Sequence, residues 1–233
     1  MKIIGIDFSI LYPGFCISED FNSFQHFAIT NNKLTKKDSS YFEDLNLEYK
    51  GVNILQLGER PKKADQYHIN ERQKLKNFDA LTDHIISQLS TYVPSRDAII
   101  AIEGISFGSS GNSLVDICQA TGILKSKLLN NLTDSVDKIF VFSPSELKNA
   151  IGCKGNASKT DVFLKFISDP VIPALKDSDL FKLLNSEKDI IFNQDKNKGK
   201  GDVKSPFMDM IDSTLPIIKI HDIIKKNPNK DDA

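Results

Sequence analysis

Two stretches, KIIGIDF at 2–8 and DAIIAIE at 97–103, set the strongest limit on what this chain can fold into. Each is a short apolar run rich in β-branched residues, the pattern of a buried strand. Each also carries a carboxylate in a costly place. Asp7 sits between Ile6 and Phe8, and Glu103 follows Ile99, Ile100, Ala101 and Ile102. An unpaired charge in such a setting is strongly disfavoured, so a basic partner, backbone donors, protonation or a metal ion must compensate.

The segments around these strands alternate in character. Pro13-Gly14 marks a turn, and strand-like stretches near 14–18 and 24–30 suggest a three-strand meander. Residues 31–50 are polar and read as an excursion, with a further strand indicated at 52–57. From 68 to 92, Ile69, Leu75, Phe78, Leu81, Ile85, Ile86 and Leu89 recur at helical spacing. The Gly/Ser-rich GISFGSSGNS at 104–113 leads into a helix near 113–130, and VDKIFVF at 136–142 is another strand. Ser143-Pro144-Ser145-Glu146 forms a capping box, and Ser158 with Asp161 repeats the pattern. Residues 173–193 look helical without a clean period, and 194–206 read as a mobile loop. A last helix runs from about Pro206 to Lys225, with a kink expected at Pro216. This order predicts an α/β domain, a mixed sheet with helices packed on it, and its length of 233 residues fits one domain carrying insertions.

A third acidic element lies in that last helix. Asp209 and Asp212 are three apart, so they share a face, and Phe207, Met208, Met210, Ile211 and Leu215 around them are apolar. A lone strand Asp is more often hydrogen-bonded than catalytic, and an i,i+3 Asp pair is more often a solvated face. All four together, in apolar surroundings, are harder to explain that way.

The charge balance adds little. A formal net charge of -1 and a sequence pI near 6.4 do not advertise a nucleic-acid partner. Arginine occurs only at Arg60, Arg72 and Arg96, so phosphate contacts by lysine are expected over base reading. Lys148, Lys154, Lys159 and Lys165 cluster around a turn containing Gly152, Gly155 and Asn156, which suits phosphate, although a solvated helix pair is the plainer alternative. Arg60, Lys62, Lys63 and Lys74 are a softer second candidate. Cys16, Cys118 and Cys153 make neither a disulfide framework nor a zinc pattern, which suits a reducing compartment. Asp7 interrupts any signal-peptide core, and no uncharged apolar stretch approaches the roughly 18 residues of a membrane span. A soluble, cytoplasmic protein is expected, in the host cytoplasm if the chain is viral.

Taken in order, IIGIDFS with Gly14 after it, AIEGISFG, SPSELKNAIGCKGNASK and DMIDS resemble the RuvC-like Holliday junction resolvases. The resemblance implies an RNase H-like fold, a mixed five-stranded sheet flanked by helices, in a single domain over 1–233 with insertions near 31–66 and 170–205. It implies catalytic and metal-ligating roles for Asp7, Glu103, Asp209 and Asp212, and DNA-binding roles for Lys148 and Lys159, with Lys154 in the same basic turn. Phe107, in the Gly/Ser loop, takes the position of an aromatic wedge that stacks on bases at the junction centre. Oxygen donors alone select Mg²⁺ or Mn²⁺. Two ions about 3.5–4 Å apart would activate a water and stabilise the leaving oxygen. The implied activity is cleavage of branched DNA, four-way junctions above all, by a homodimer that nicks symmetrically. Alternatives are an RNase H-like nuclease acting on RNA/DNA hybrids or on branched DNA generally, and a non-catalytic DNA-structure-binding protein. An actin-like ATPase would need a second Gly-rich phosphate loop and an adenosine motif, and the sequence has neither.

Overall fold

The computed structural model describes residues 1–31, 34–57, 65–105, 111–195 and 200–227. The chain passes through β1 (Lys2–Asp7), β2 (Gly14–Glu19), β3 (Ser23–Thr30), α1 (Lys36–Glu48), β4 (Val52–Gln56), α2 (Tyr67–Tyr92), β5 (Ile99–Glu103) and α3 (Asn112–Asn131). It continues through β6 (Ile139–Phe142), α4 (Pro144–Ala150), α5 (Lys159–Ser168), α6 (Asp179–Ser186), α7 (Lys188–Ile191), β7 (Phe192–Asp195), β8 (Lys200–Val203) and α8 (Phe207–Lys226). The main sheet has the order β4-β3-β2-β1-β5-β6. Strands β1, β2 and β3 form the antiparallel meander, while β5 and β6 add in parallel beside β1. This is the mixed α/β architecture expected, with a sixth strand. Parallel pairing needs a crossover, and α1 supplies it by carrying the chain back so that β4 lies parallel to β3.

The pleat divides the core in two. Ile4, Ile6, Ile100 and Ile102 pack beneath α2 and α3 with Leu81, Ile85, Leu124 and Leu128. Ile3 and Ala101 face the opposite side with Met210, Ile211, Ile217 and Ile218 of α8. Side chains alternate along a strand, so Gly5, Asp7 and Glu103 belong to the α8 face.

Helix α8 lies directly on the sheet. A Cβ on Gly5 would overlap the carbonyl oxygen of Ser213, and one on Gly14 would overlap that of Asp209. Glycine at these two strand positions is therefore a packing requirement. The helix is one continuous run through Pro216, which lacks an N–H for the carbonyl of Asp212.

The described residues of the two segments expected to be insertions are folded. Within 31–50, Tyr41, Phe42 and Leu45 recur on one helical face, and Thr35 caps α1 by accepting from the Asp38 amide. The Asn46 side chain holds both polar groups of Ile54, at 2.9 and 2.8 Å, which covers the outer edge of β4. Residues expected to form a mobile loop instead include the β7–β8 hairpin, with 196–199 outside the described residues. Alternating pairing from Phe192 opposite Val203 orders it, and Phe192 stacks on Phe163 of α5 at 5.6 Å. The insertions also bond one another, through Gly51 N–H to Asp179 at 2.8 Å and Tyr49 to Ser186 at 2.8 Å. Among the described residues no helix is long and apolar enough to cross a membrane.

The close approach at the glycines can be tested directly. Gly14→Ala should destabilise the protein by about 1–3 kcal/mol or more, because backbone must move. Gly122→Ala, in α3 with open space at the Cβ position, should stabilise it by about 0.8–1.0 kcal/mol. Urea unfolding of both variants checks this, and equal effects would contradict a packing role for Gly14.

Candidate active site

Strands β1 and β5 run parallel with Ile6 opposite Ile102, so the next residues, Asp7 and Glu103, emerge side by side at the strand ends. Helix α8 lays its first turns over them and supplies Asp209 and Asp212. Asp209 is only 6% exposed, and the Asp212 side chain 16%. Asp7, Glu103 and Asp209 line a cleft of about 740 Å³, with Lys159 and Ser205 beside them and Lys74 and Asp116 on the α2–α3 side. The four carboxylates predicted from separate segments are brought together.

Their electrostatics show how poorly they are compensated. Burial, then the charges of Asp212 and Asp209, holds Asp7 well above the ordinary carboxylate range. Glu103 is pushed up to about 8 by burial and then by Asp7. Asp212 rises to about 7 through burial and then Glu103. Burial raises Asp209 to about 6, against a hydrogen bond from Ser205. The Lys159 ammonium opposes all four shifts, and Lys148 opposes those of Glu103 and Asp212. Lys159 stands 3.9 Å from Asp212 with its side chain 60% exposed, so its attraction is partly screened. Asp209 Oδ2 is buried without a hydrogen-bond partner. A buried oxygen acceptor without a donor suits a cation.

The lysines differ in what they meet. Lys159 opens α5 behind the Ser158–Asp161 capping box and reaches the cleft. Lys148 donates to the Ala157 carbonyl at 2.8 Å, tying α4 to the approach of α5. Lys154 is exposed in the intervening turn and does not line the cleft. Lys165 is paired with Asp169. Lys74 bridges Glu71 and Asp116, each at 3.0 Å. Phe107, Arg60, Lys62 and Lys63 lie outside the described residues. Sequence reasoning missed Ser205 and Asp116. Ser205 had a faint signal, a hydroxyl just before the start of the acidic helix, whereas Asp116 meets Lys74 only through the packing of α2 on α3.

All four donors are carboxylates, a set that matches a hard divalent cation. Among the described residues, no three His, Cys, Asp or Glu side chains already converge on one ion position. Repulsion among buried like charges should therefore weigh on the metal-free fold. Asp209→Asn and Asp212→Asn should each raise the melting temperature in EDTA, by roughly 2–4 °C per kcal/mol of strain relieved. A clear fall in both variants would count against this electrostatic reading.

The sequence matches the family model of the crossover junction endodeoxyribonuclease RuvC over residues 50–168, which is more than half of the chain. That span contains Glu103, Lys148 and Lys159, and the fold adds Asp7, Asp209 and Asp212 from outside it. Among solved structures, the chain is similar to the Thermus thermophilus RuvC structure, with 13% identity, 96% of each chain covered and a TM-score of 0.48. It is also similar to T. thermophilus RuvC in complex with Holliday junction substrate, with 10% identity, 96% of each chain covered and a TM-score of 0.44. No curated protein sequence matches it. The chain belongs to the RuvC family of crossover junction endodeoxyribonucleases.

Proposed function

We propose that this chain is a divalent-metal-dependent endonuclease that resolves four-way DNA junctions, with Asp7, Glu103, Asp209 and Asp212 as its metal-holding catalytic set. The observation that carries the reading is that Asp7, Glu103 and Asp209 line one cleft, with Asp212 buried beside them and too few cations near the four, in a chain of this family. Asp7 and Glu103 would hold the ion from the rigid strand ends, and Asp209 and Asp212 from the first turns of α8. Mg²⁺ or Mn²⁺ bound there, two ions in the family arrangement, supplies activation of the attacking water and stabilisation of the leaving oxygen. Lys159 is free to meet the scissile strand's phosphate, because its side chain is exposed at the cleft and its partner Asp212 is 3.9 Å away. Lys148 supports the α4–α5 turn and adds positive potential. Lys154 extends that potential along the DNA backbone, with phosphate contacts giving position more than sequence.

Symmetric incision of a four-way junction needs two clefts, which favours a homodimer. By family resemblance Phe107 acts as a wedge that stacks on a base at the junction centre. The same chemistry could serve RNA/DNA hybrids. Incubation with labelled four-way, three-way and linear DNA and with a hybrid, with and without Mg²⁺, separates these substrates. Mg²⁺-dependent cleavage of the hybrid but of no junction would overturn the proposal.

Three sets of variants test the parts. Asp7→Asn should abolish cleavage, by at least about a hundredfold, while junction binding stays near wild type, since the phosphate-binding lysines are retained. Near wild-type turnover in Mg²⁺ would remove Asp7 from the site. Lys148→Ala and Lys159→Ala should weaken binding to every DNA and flatten the log–log salt dependence by about 0.9 for each duplex phosphate no longer neutralised. Unchanged slopes in both would make these lysines ordinary solvated side chains. Phe107→Ala should lower junction cleavage selectively, because stacking on a base is worth roughly 1–3 kcal/mol. A large loss of thermal stability with unaltered junction preference would instead place the ring in the core.

A further inference from the structure

A second cavity, of about 570 Å³, adjoins the cleft and shares Tyr12 and Ser205 with it. Ser205 hydrogen-bonds Asp209, so one side chain separates the cavity from the carboxylate cluster. Its walls come from both insertions and the start of α8. α1 contributes Lys37, Tyr41 and Phe42, and the second insertion contributes Ile190 and Lys204. Phe42 leans edge-on against Phe207 at 6.4 Å, two residues before Asp209. Tyr41 packs beside Phe42 at 5.8 Å and donates to Glu187 of the other insertion at 3.5 Å. With the Gly51–Asp179 and Tyr49–Ser186 bonds, these interactions make the cavity a built feature of two cooperating insertions.

Its chemistry is specific. Lys37 and Lys204 are exposed and carry no ion pair among the described residues. The acid among the described lining residues, Asp38, is occupied at the start of α1, accepting from Thr35 Oγ1 at 2.7 Å. Half-buried aromatic rings therefore share the lining with two ammonium groups and the Asp38 carboxylate, a net positive set. A paired base has both faces covered by its neighbours in the stack, so of the bases in a DNA substrate only one that has left the duplex can use aromatic rings in a pocket. Lysines at the rim suit the phosphates on either side of such a base. The volume falls within the roughly 300–1,000 Å³ range of pockets that enclose a drug-sized ligand, a class to which a nucleotide belongs.

We propose that this cavity binds an unpaired nucleotide of the DNA strand that leaves the catalytic cleft, so that the enzyme accepts branched DNA carrying single-stranded segments. The assignment of the strand rests on the nuclease reading above, and the cavity's preference for unpaired DNA can be measured without cleavage. Lys37 and Lys204 hold the flanking phosphates, and Tyr41 and Phe42 offer the apolar bed for the base. The double insertion thereby widens the substrate range beyond fully paired junctions.

The test uses the full chain in EDTA, with fluorescence anisotropy of a labelled oligothymidylate of about 10 nucleotides, a length within the range one single-strand site covers. Lys37→Ala/Lys204→Ala should lower its affinity about tenfold at low salt and flatten the salt slope by about 0.7 for each phosphate no longer neutralised. An abasic strand of equal length should bind the wild type more weakly than the oligothymidylate does. With Mg²⁺, the double variant should cleave a fully paired four-way junction like the wild type but lose the preference for one bearing a single-stranded thymidine extension. Equal oligothymidylate affinity in wild type and variant would overturn the proposal and leave the cavity to another occupant, such as a peptide. Tight binding of the abasic strand would overturn the stacking role. If no DNA is cut but the variant still loses oligothymidylate affinity, the nuclease reading fails and the single-strand site stands.

Discussion

Everything at this site depends on the direct seating of α8 on β1 and β2. Gly5 and Gly14 leave no side chain between strand and helix, so the carbonyls of Ser213 and Asp209 occupy the space a Cβ would need. That close approach fixes the height and rotation of the helix over the strand ends. Asp209 and Asp212 consequently arrive above Asp7 and Glu103 with little freedom, since α8 is buried over most of its length. A site assembled from rigid elements holds its groups more closely than one assembled from loops.

This rigidity has an electrostatic cost. Four buried carboxylates disfavour one another, and among the described residues Lys148 and the exposed Lys159 are the cations that oppose this. Protein stability would improve if one acid were removed, whereas phosphodiester chemistry needs oxygen donors that a hard cation can use. Buried acids without internal partners are more typical of functional clefts than of structural clusters, which are usually paired within the protein.

The insertions show a different relation between sequence and function. Polar as they are, their described residues fold by bonding each other along the β4 edge and against α5. They shape the ground beside the carboxylate cluster and reach it through Ser205, which hydrogen-bonds Asp209. Loops and excursions commonly carry specificity in this way, set on a scaffold whose core is already closed.

The apolar runs around Asp7 and Glu103 specified buried strands, helical periodicity specified α2, and the capping boxes at Ser143 and Ser158 marked the starts of α4 and α5. The i,i+3 spacing put Asp209 and Asp212 on one face. All of these are local, because helix and strand periods are written in neighbouring residues. All six strands of the main sheet were legible for the same reason, although a five-stranded sheet was expected. Convergence was not local. Gly5 and Gly14 look like weak strand residues until α8 is placed on them, Ser205 is an ordinary hydroxyl until Asp209 turns toward it, and the pairing of the two insertions joins residues more than a hundred positions apart. Only the tertiary structure decided these, since register and helix seating depend on how surfaces fit across the whole domain, and no short window of sequence records that fit.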